Sequence, residues 1–380
     1  MQAASILIKP ASANCNMDCK YCFYKCLSSH REEYSKGFMK EETLETLVRE
    51  AIAYADGSLT FAFQGGEPTL AGLDFFQKAV ELQQKYNNKK LQIENTIQTN
   101  GLLIDEKWAR FLGEHRFLVG LSLDGPKKMH DRYRKDAAGQ DTFARIMHSV
   151  QLLEQYHVDY NVVTVVTNDT AKQASFLYKF WKRNHYPFVQ FIPCMDEIKR
   201  QDGTQECSIY AVEPEQYGKF LCELFDLWYA DFVAGETMDI RMFSNLAQMA
   251  AGYPAEECGM NGCCNCYFVV EGDGSVYPCD FYCMDAWKLG TVKDGFVQMK
   301  TSEKAKAFVE ASRPVCATCH ECPYFSLCRG GCRRWREPFV DGKPGLNQLC
   351  SAYRMFFAHA AERMERLGVY IRQKYVGSGK

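Results

Sequence analysis

The sequence predicts an α/β fold: a parallel sheet with helical crossovers, then a cysteine-rich segment and a closing helix. Three observations carry this. Short apolar runs alternate with helix-period segments through the first half, polar signals recur just after successive strands, and 19 cysteines in 380 residues gather at 15–26, 258–283 and 316–350. Strand–helix alternation at this spacing favours parallel strands joined by right-handed crossovers.

In chain order, strands are expected at 5–9, 59–64, 91–99, 117–122, 159–166 and 188–192, with helical patterns near 40–55, 73–86, 105–115, 142–156 and 170–183. Periodicity alone leaves a partial barrel, a full barrel and an open doubly wound sheet all open. Gln64-Gly65-Gly66-Glu67 follows the second strand, Gln98-Thr99-Asn100-Gly101 the third and Ser122-Leu123-Asp124-Gly125 the fourth. The C-terminal ends of parallel strands build the active site in such folds, so these recurrences predict one shared site. After Pro193 a linker runs through Gln205 to an amphipathic helix near 214–234, with Phe220, Leu221, Leu224, Phe225 and Trp228 on one face. Cysteine-rich turns then lead to a closing helix from Tyr353 to about Gln373. The expected domains are 1–235 and 236–380.

Apolar residues make up 47% of the chain and charged residues 24%, with a formal net charge of -2. That balance gives no electrostatic reason for a nucleic-acid or anionic-membrane partner. No stretch approaches the run of ~18 apolar residues that a membrane span needs, and no secretory signal opens the chain, so a cytoplasmic location is expected. Disulfides are rare in a reducing cytosol, and clustered cysteines at short fixed gaps are how metal ligands are written into a sequence. Cys194, Cys207 and Cys222 stand apart and read as small core or surface residues.

Cys15, Cys19 and Cys22 form a Cys-x3-Cys-x2-Cys loop after the first strand. Three thiolates hold three corners of a [4Fe–4S] cube that normally takes four, leaving one iron open to a small molecule. Zinc remains the alternative, since Cys26 has the spacing to be a fourth ligand. With Tyr21 before the last cysteine, this loop resembles the signature of the radical S-adenosylmethionine (SAM) superfamily. Gly65-Gly66-Glu67-Pro68 resembles that family's second motif, which binds the methionine amino group: glycine lets the backbone approach closely, and a carboxylate suits an ammonium. The resemblance implies a partial (β/α)6 TIM-like barrel. It also implies that Ser122 contacts the ribose, Arg134 the methionine carboxylate, Tyr21 the adenine side, and that Met195 supplies an apolar contact to SAM. Read without the family, Arg134 in HDRYRKD is a solvated surface charge.

The last third contains Cys258, Cys264, Cys266 and Cys279, then Cys319-x2-Cys322-x5-Cys328-x3-Cys332 and Cys350. This order resembles the SPASM extension of radical SAM enzymes, which holds two further [4Fe–4S] clusters. The resemblance implies Cys258, Cys264, Cys279 and Cys332 for one cluster and Cys319, Cys322, Cys328 and Cys350 for the other. Adjacent Cys263 and Cys264 leave the choice among Cys263, Cys264 and Cys266 open, as does the pair Cys316 and Cys319. A zinc ribbon is the competing reading of the Cys-x2-Cys pairs.

The segments LIKPASANCNMDCKYCFY, FAFQGGEPTLAGL, QTNG, FLVGLSLDGP, CGMNGCCNC, VVEGDGSVYPCDFY and LCRGGCRRWRE resemble the anaerobic sulfatase-maturating enzymes. That resemblance implies three [4Fe–4S] clusters, SAM as cofactor and oxidation of a sulfatase cysteine or serine to Cα-formylglycine. It further implies an unfolded or nascent sulfatase polypeptide as substrate and a flavodoxin or ferredoxin as electron donor. Asp280, beside Cys279, matches the family's general base; the plain alternative is a turn aspartate after a ligand loop. Tyr24, Gln64 and Gln98 stand near strand ends facing the expected site. Two rivals are a SPASM peptide maturase that crosslinks a precursor peptide and an iron–sulfur electron carrier. The cluster loop begins at Cys15, so no peptide-recognition domain is expected before it, and an electron carrier has no use for the GGE motif.

Overall fold

In the computed structural model, residues 3–196, 209–236, 238–339 and 342–377 are described, so Cys207 and most of the expected linker lie outside the described residues. Ten strands are present among the described residues: β1 (Ala4–Ile8), β2 (Ser58–Phe63), β3 (Gln92–Thr99), β4 (Leu118–Ser122), β5 (Tyr160–Val166), β6 (Phe188–Pro193), β7 (Asp239–Ile240), β8 (Val269–Val270), β9 (Ser275–Tyr277) and β10 (Gly290–Thr291). The chain forms two compact units. Of the described residues, the first contains 3–162 and 266–307, the second 163–196, 209–236, 238–265, 308–339 and 342–377. Compactness is therefore discontinuous along the chain, whereas the division expected at 235/236 is continuous.

In the first unit, β1, β2, β3 and β4 are successive parallel neighbours. Alternation in β2 sends Leu59, Phe61 and Phe63 into the core, and Ile6 and Ile8 of β1 are fully buried. Helices Glu41–Tyr54 and Leu73–Tyr86 bury one apolar face each, the latter through Phe76, Ala79, Val80 and Leu82. Helix Glu106–Glu114 starts where the Asp105 carboxylate accepts the Trp108 N–H at 2.9 Å, which satisfies one of the orphan donors of a helix N-terminus. β8 pairs with β1 in parallel, and β9 and β10 follow as antiparallel neighbours. Sequence reading found no strand here, because two- and three-residue strands are too short to show a period of two.

The second unit contains the parallel pair β6–β7 and three principal helices, Pro214–Val233, Arg241–Ala250 and Cys350–Gly377. All five apolar residues expected on one face of the first of these are buried. It packs on the closing helix through Phe225–Phe356 and Tyr217–Tyr353 ring contacts, at centroid separations of 5.6 and 6.4 Å. Gly218 permits the approach, since a Cβ there would lie 2.9 Å from Met355 Sδ. The closing helix begins at Cys350, three residues before its expected start.

Candidate active site and cluster sites

The loop between β1 and helix Phe23–Ser29 carries Cys15, Cys19 and Cys22, with Cys22 at the helix N-cap. The Met17 N–H points at Cys15 Sγ (3.4 Å). Burial pushes the Cys19 thiol up to about 12, while the Arg134 charge pulls it back and the neighbouring Cys22 and Cys15 sulfurs raise it further. A bound metal cation would favour the thiolate of such a thiol, so the loop's chemistry fits iron ligation.

The loop after β2 lies directly on this cysteine loop. Gln64 N–H donates to Ile8 O, Gly66 N–H to Ser12 O and Glu67 N–H to Asn14 O, each at 2.8 Å. Gly66 has no room for a side chain, because a Cβ would overlap the Asn14 carbonyl. Gly65 adopts φ +119°, open to glycine alone. The Glu67 carboxylate, expected to meet an ammonium, accepts four bonds from its own chain. These come from Thr69 N–H (3.0 Å), Thr69 Oγ1 (2.6 Å), Thr99 Oγ1 (2.7 Å) and Asn100 N–H (2.8 Å). Three of these fall on Oε1 and one on Oε2, so Oε2 keeps an acceptor position for a further donor. Burial pushes its pKa up, and the hydrogen bonds hold it down. Glu67 thus ties the end of β3 to the loop after β2.

Beyond β4, Asp124 accepts from the Tyr21 hydroxyl, and Arg134 Nη1 donates to the same hydroxyl at 2.9 Å. Arg134 is 7% exposed, so the solvated reading of this residue is wrong. Its Nε is buried without a hydrogen-bond partner. An unsatisfied guanidinium N–H in a buried place is costly, and a carboxylate is its natural acceptor. This is the feature by which the pocket fits SAM. Ser122 Oγ accepts from Gln98 Nε2 at 3.2 Å, so two of the strand-end polar signals meet there. His130, fully buried, holds both flanks: Nδ1 accepts the Asp124 N–H (3.3 Å), and Nε2 meets Thr142 Oγ1 (3.0 Å), whose hydroxyl donates to Arg134 O (2.8 Å).

Asp280 follows Cys279 in a 3-10 turn and is 6% exposed. Lys9 Nζ lies 2.7 Å from Oδ1, while the Tyr24 hydroxyl donates to Oδ2 at 2.6 Å. Gln64 Nε2 in turn donates to the Tyr24 hydroxyl at 2.6 Å. Behind them Glu271 faces Lys9 (3.6 Å) and Arg31 (2.8 Å), so two buried cations balance two buried carboxylates. Lys9, Glu271 and Arg31 were missed in the sequence; the available signal was a lysine closing an otherwise apolar strand, LIK.

In the second unit Cys319, Cys322, Cys328 and Cys350 line one pocket with Phe325 and Phe357. Cys316 Sγ lies 3.6 Å from Cys319 Sγ. Cys264 N–H donates to Ser312 Oγ at 2.7 Å, and a Cβ on Gly259 would stand 3.6 Å from Cys332 Cβ. Cys258, Cys264 and Cys332 belong to this unit and Cys279 to the first, as does the buried Cys266. Met195 follows β6 in the second unit, half-buried. No helix among the described residues is long and apolar enough to cross a membrane.

Comparisons with known proteins show what the chain is similar to. Residues 10–180 match the model of the radical SAM superfamily, and 262–323 that of an iron–sulfur cluster-binding domain. The chain is 46% identical to the cysteine-type anaerobic sulfatase-maturating enzyme of Clostridium perfringens (strain 13), over 96% of this chain and 98% of that one. It is 34% identical to the serine-type enzyme of Bacteroides thetaiotaomicron, over 95% and 90%. The solved structure described as "Native anSMEcpe with bound AdoMet and Cp18Cys peptide" superposes with a TM-score of 0.91 at 45% identity, covering 97% of this chain and all of that one.

Proposed function

The chain belongs to the anaerobic sulfatase-maturating enzymes, and from that premise we propose that it oxidises the active-site cysteine of a sulfatase to Cα-formylglycine. The observation that carries this reading is the bond chain Gln64–Tyr24–Asp280, which joins the loop after β2 to a buried carboxylate within one unit. The cysteine-type choice rests on relatives at 44–47% identity, against 30–34% for the serine-type enzymes. The substrate is an unfolded or nascent polypeptide met in the cytoplasm, with flavodoxin or ferredoxin as donor.

In this reading Cys15, Cys19 and Cys22 hold a [4Fe–4S] cluster with one open iron. Arg134 Nε takes the methionine carboxylate of SAM, and Ser122 meets the ribose. Gly65 and Gly66 bring backbone to the amino group, Tyr21 flanks the adenine and Met195 adds an apolar contact. Glu67 pairs with the ammonium through Oε2, while its bonds at Oε1 keep the loop in place. When bound, SAM and this cluster supply the removal of one hydrogen atom from the target Cβ. Asp280 takes the thiol proton, with Lys9 holding the carboxylate by ion pairing and Tyr24 fixing its second oxygen. The target then has one more electron to lose, and the two further cysteine sets, Cys258, Cys264, Cys279, Cys332 and Cys319, Cys322, Cys328, Cys350, hold clusters able to accept it. Water replaces sulfur in the resulting thioaldehyde. Residues 1–235 serve the hydrogen abstraction and 236–380 the electron removal.

The test is mass spectrometry of a sulfatase peptide incubated anaerobically with enzyme, SAM and reductant. General-base help is worth ~10²–10⁴ in rate. Asp280→Asn is expected to keep releasing 5′-deoxyadenosine while formylglycine formation falls by about that factor. Wild-type product formation by this variant removes Asp280 from the role, and an intramolecular crosslink in place of formylglycine assigns the chain to the peptide-crosslinking rival.

A further inference from the structure

The second unit buries an arginine between its two groups of cysteines. Arg336 is 2% exposed, and its guanidinium is pinned by two carbonyls: Nη1 donates to Pro314 O at 3.0 Å and Nη2 to Ser312 O at 2.7 Å. Ser312 is also the residue whose hydroxyl accepts the Cys264 N–H at 2.7 Å, so Arg336 and Cys264 share one support. On the other side lies Gly330, which lines the pocket of Cys319, Cys322, Cys328 and Cys350; a Cβ there would stand 3.7 Å from Arg336 Nη1. The third donor, Nε, is buried with no partner. A buried guanidinium is always charged, and its open N–H points to an acceptor absent from the protein itself.

We propose that Arg336 is an electrostatic tuning residue shared by both auxiliary clusters, raising the reduction potential of each so that both accept electrons readily. The inference rests on reading these cysteines as two ligand sets. Net charge and hydrogen bonds to the sulfurs set the potential of an iron–sulfur cluster, and a fixed cation acts strongly where water is excluded. The same charge reaches both sets by geometry: Ser312 braces Arg336 through its carbonyl and Cys264 through its hydroxyl, and Gly330, against which Arg336 Nη1 packs, lies in the chain between Cys328 and Cys332. Placing the acceptors under one cation makes them a matched pair. Removing it makes both harder to reduce.

The experiment is an anaerobic redox titration of the loaded, full-length enzyme, followed by electron paramagnetic resonance. Iron is measured first; about twelve atoms per chain are expected from three clusters, and about four in the wild type overturns both the two-set reading and the proposal. In Arg336→Gln both auxiliary midpoints are expected to move negative, by at least about tenfold in the reduction equilibrium at fixed ambient potential, while the cluster of Cys15, Cys19 and Cys22 stays put. Val315→Glu keeps the carbonyl braces and sets a carboxylate beside Arg336, since Val315 Cγ1 lies 3.0 Å from the same Gly330 Cβ position. It is expected to shift both midpoints in the same direction and decides the matter if Arg336→Gln fails to load. Unmoved auxiliary midpoints in a fully loaded variant, or a shift of one cluster alone, overturn the proposal.

Discussion

Arg134 combines two features that the sequence could not separate: full burial and an unused donor. In HDRYRKD nothing marks the last arginine as different from its neighbours, and its burial follows from Asp124 and from Tyr21, which is distant in the chain. A hydrogen bond to a charged group is worth about 1.5–3 kcal/mol. Arg134→Gln is therefore expected to weaken SAM binding by about 10- to 100-fold in equilibrium dialysis, with iron content unchanged. His130 carries a second prediction. Burial, then the Arg134 and Lys127 charges, hold its pKa well below the usual 6.5. The native protein keeps it neutral while the unfolded chain protonates it below 6.5. Its contribution to stability is thus intact above that pH and lost as pH falls beneath it, at ~1.4 kcal/mol per unit. The urea midpoint should drop accordingly toward pH 5, and His130→Gln should flatten that slope.

At the scale of elements, the strands were the legible part. All six expected strands are present with ends shifted by one residue at most, because each has enough residues to show burial alternation or a continuous apolar run. The expected helix at 170–183 is broken into Asn168–Ala171 and Ala174–Arg183. Helix Lys127–Tyr133 went unseen, being too short for a periodic signal. The motif loops were legible as chemistry but not as neighbours. Only the structure shows that the loop after β2 hydrogen-bonds along the cysteine loop, and the contact is close enough to make Gly66 indispensable. Gly66→Ala is expected to displace the Asn14–Cys15 backbone and lower iron loading of the first cluster, read as lost iron and lost visible absorbance. Full loading would show that the loop yields without cost.

Over the whole molecule, the chain leaves the first unit and returns to it at residues 266–307. Leu7 N–H donates to Phe268 O at 3.0 Å and Lys9 N–H to Val270 O at 2.8 Å, so β1 finds its second neighbour late in the sequence. A chain ending at 265 leaves that edge unpaired, and exposed strand edges aggregate. Such a truncation is expected in the insoluble fraction; a soluble monomer would count against the pairing as a folding requirement. No sequence pattern revealed this return, since the pairing joins segments more than 250 residues apart. The link through Gln64 reaches further than stability. Gln64 is peptide-bonded to Gly65, so the residue that steadies the proton acceptor and the one proposed to approach the nucleotide occupy adjacent codons. Drift at either position perturbs both ends of the reaction, and selection acts on the tetrapeptide as one heritable unit. Substitutions there should display strong epistasis with those at Tyr24.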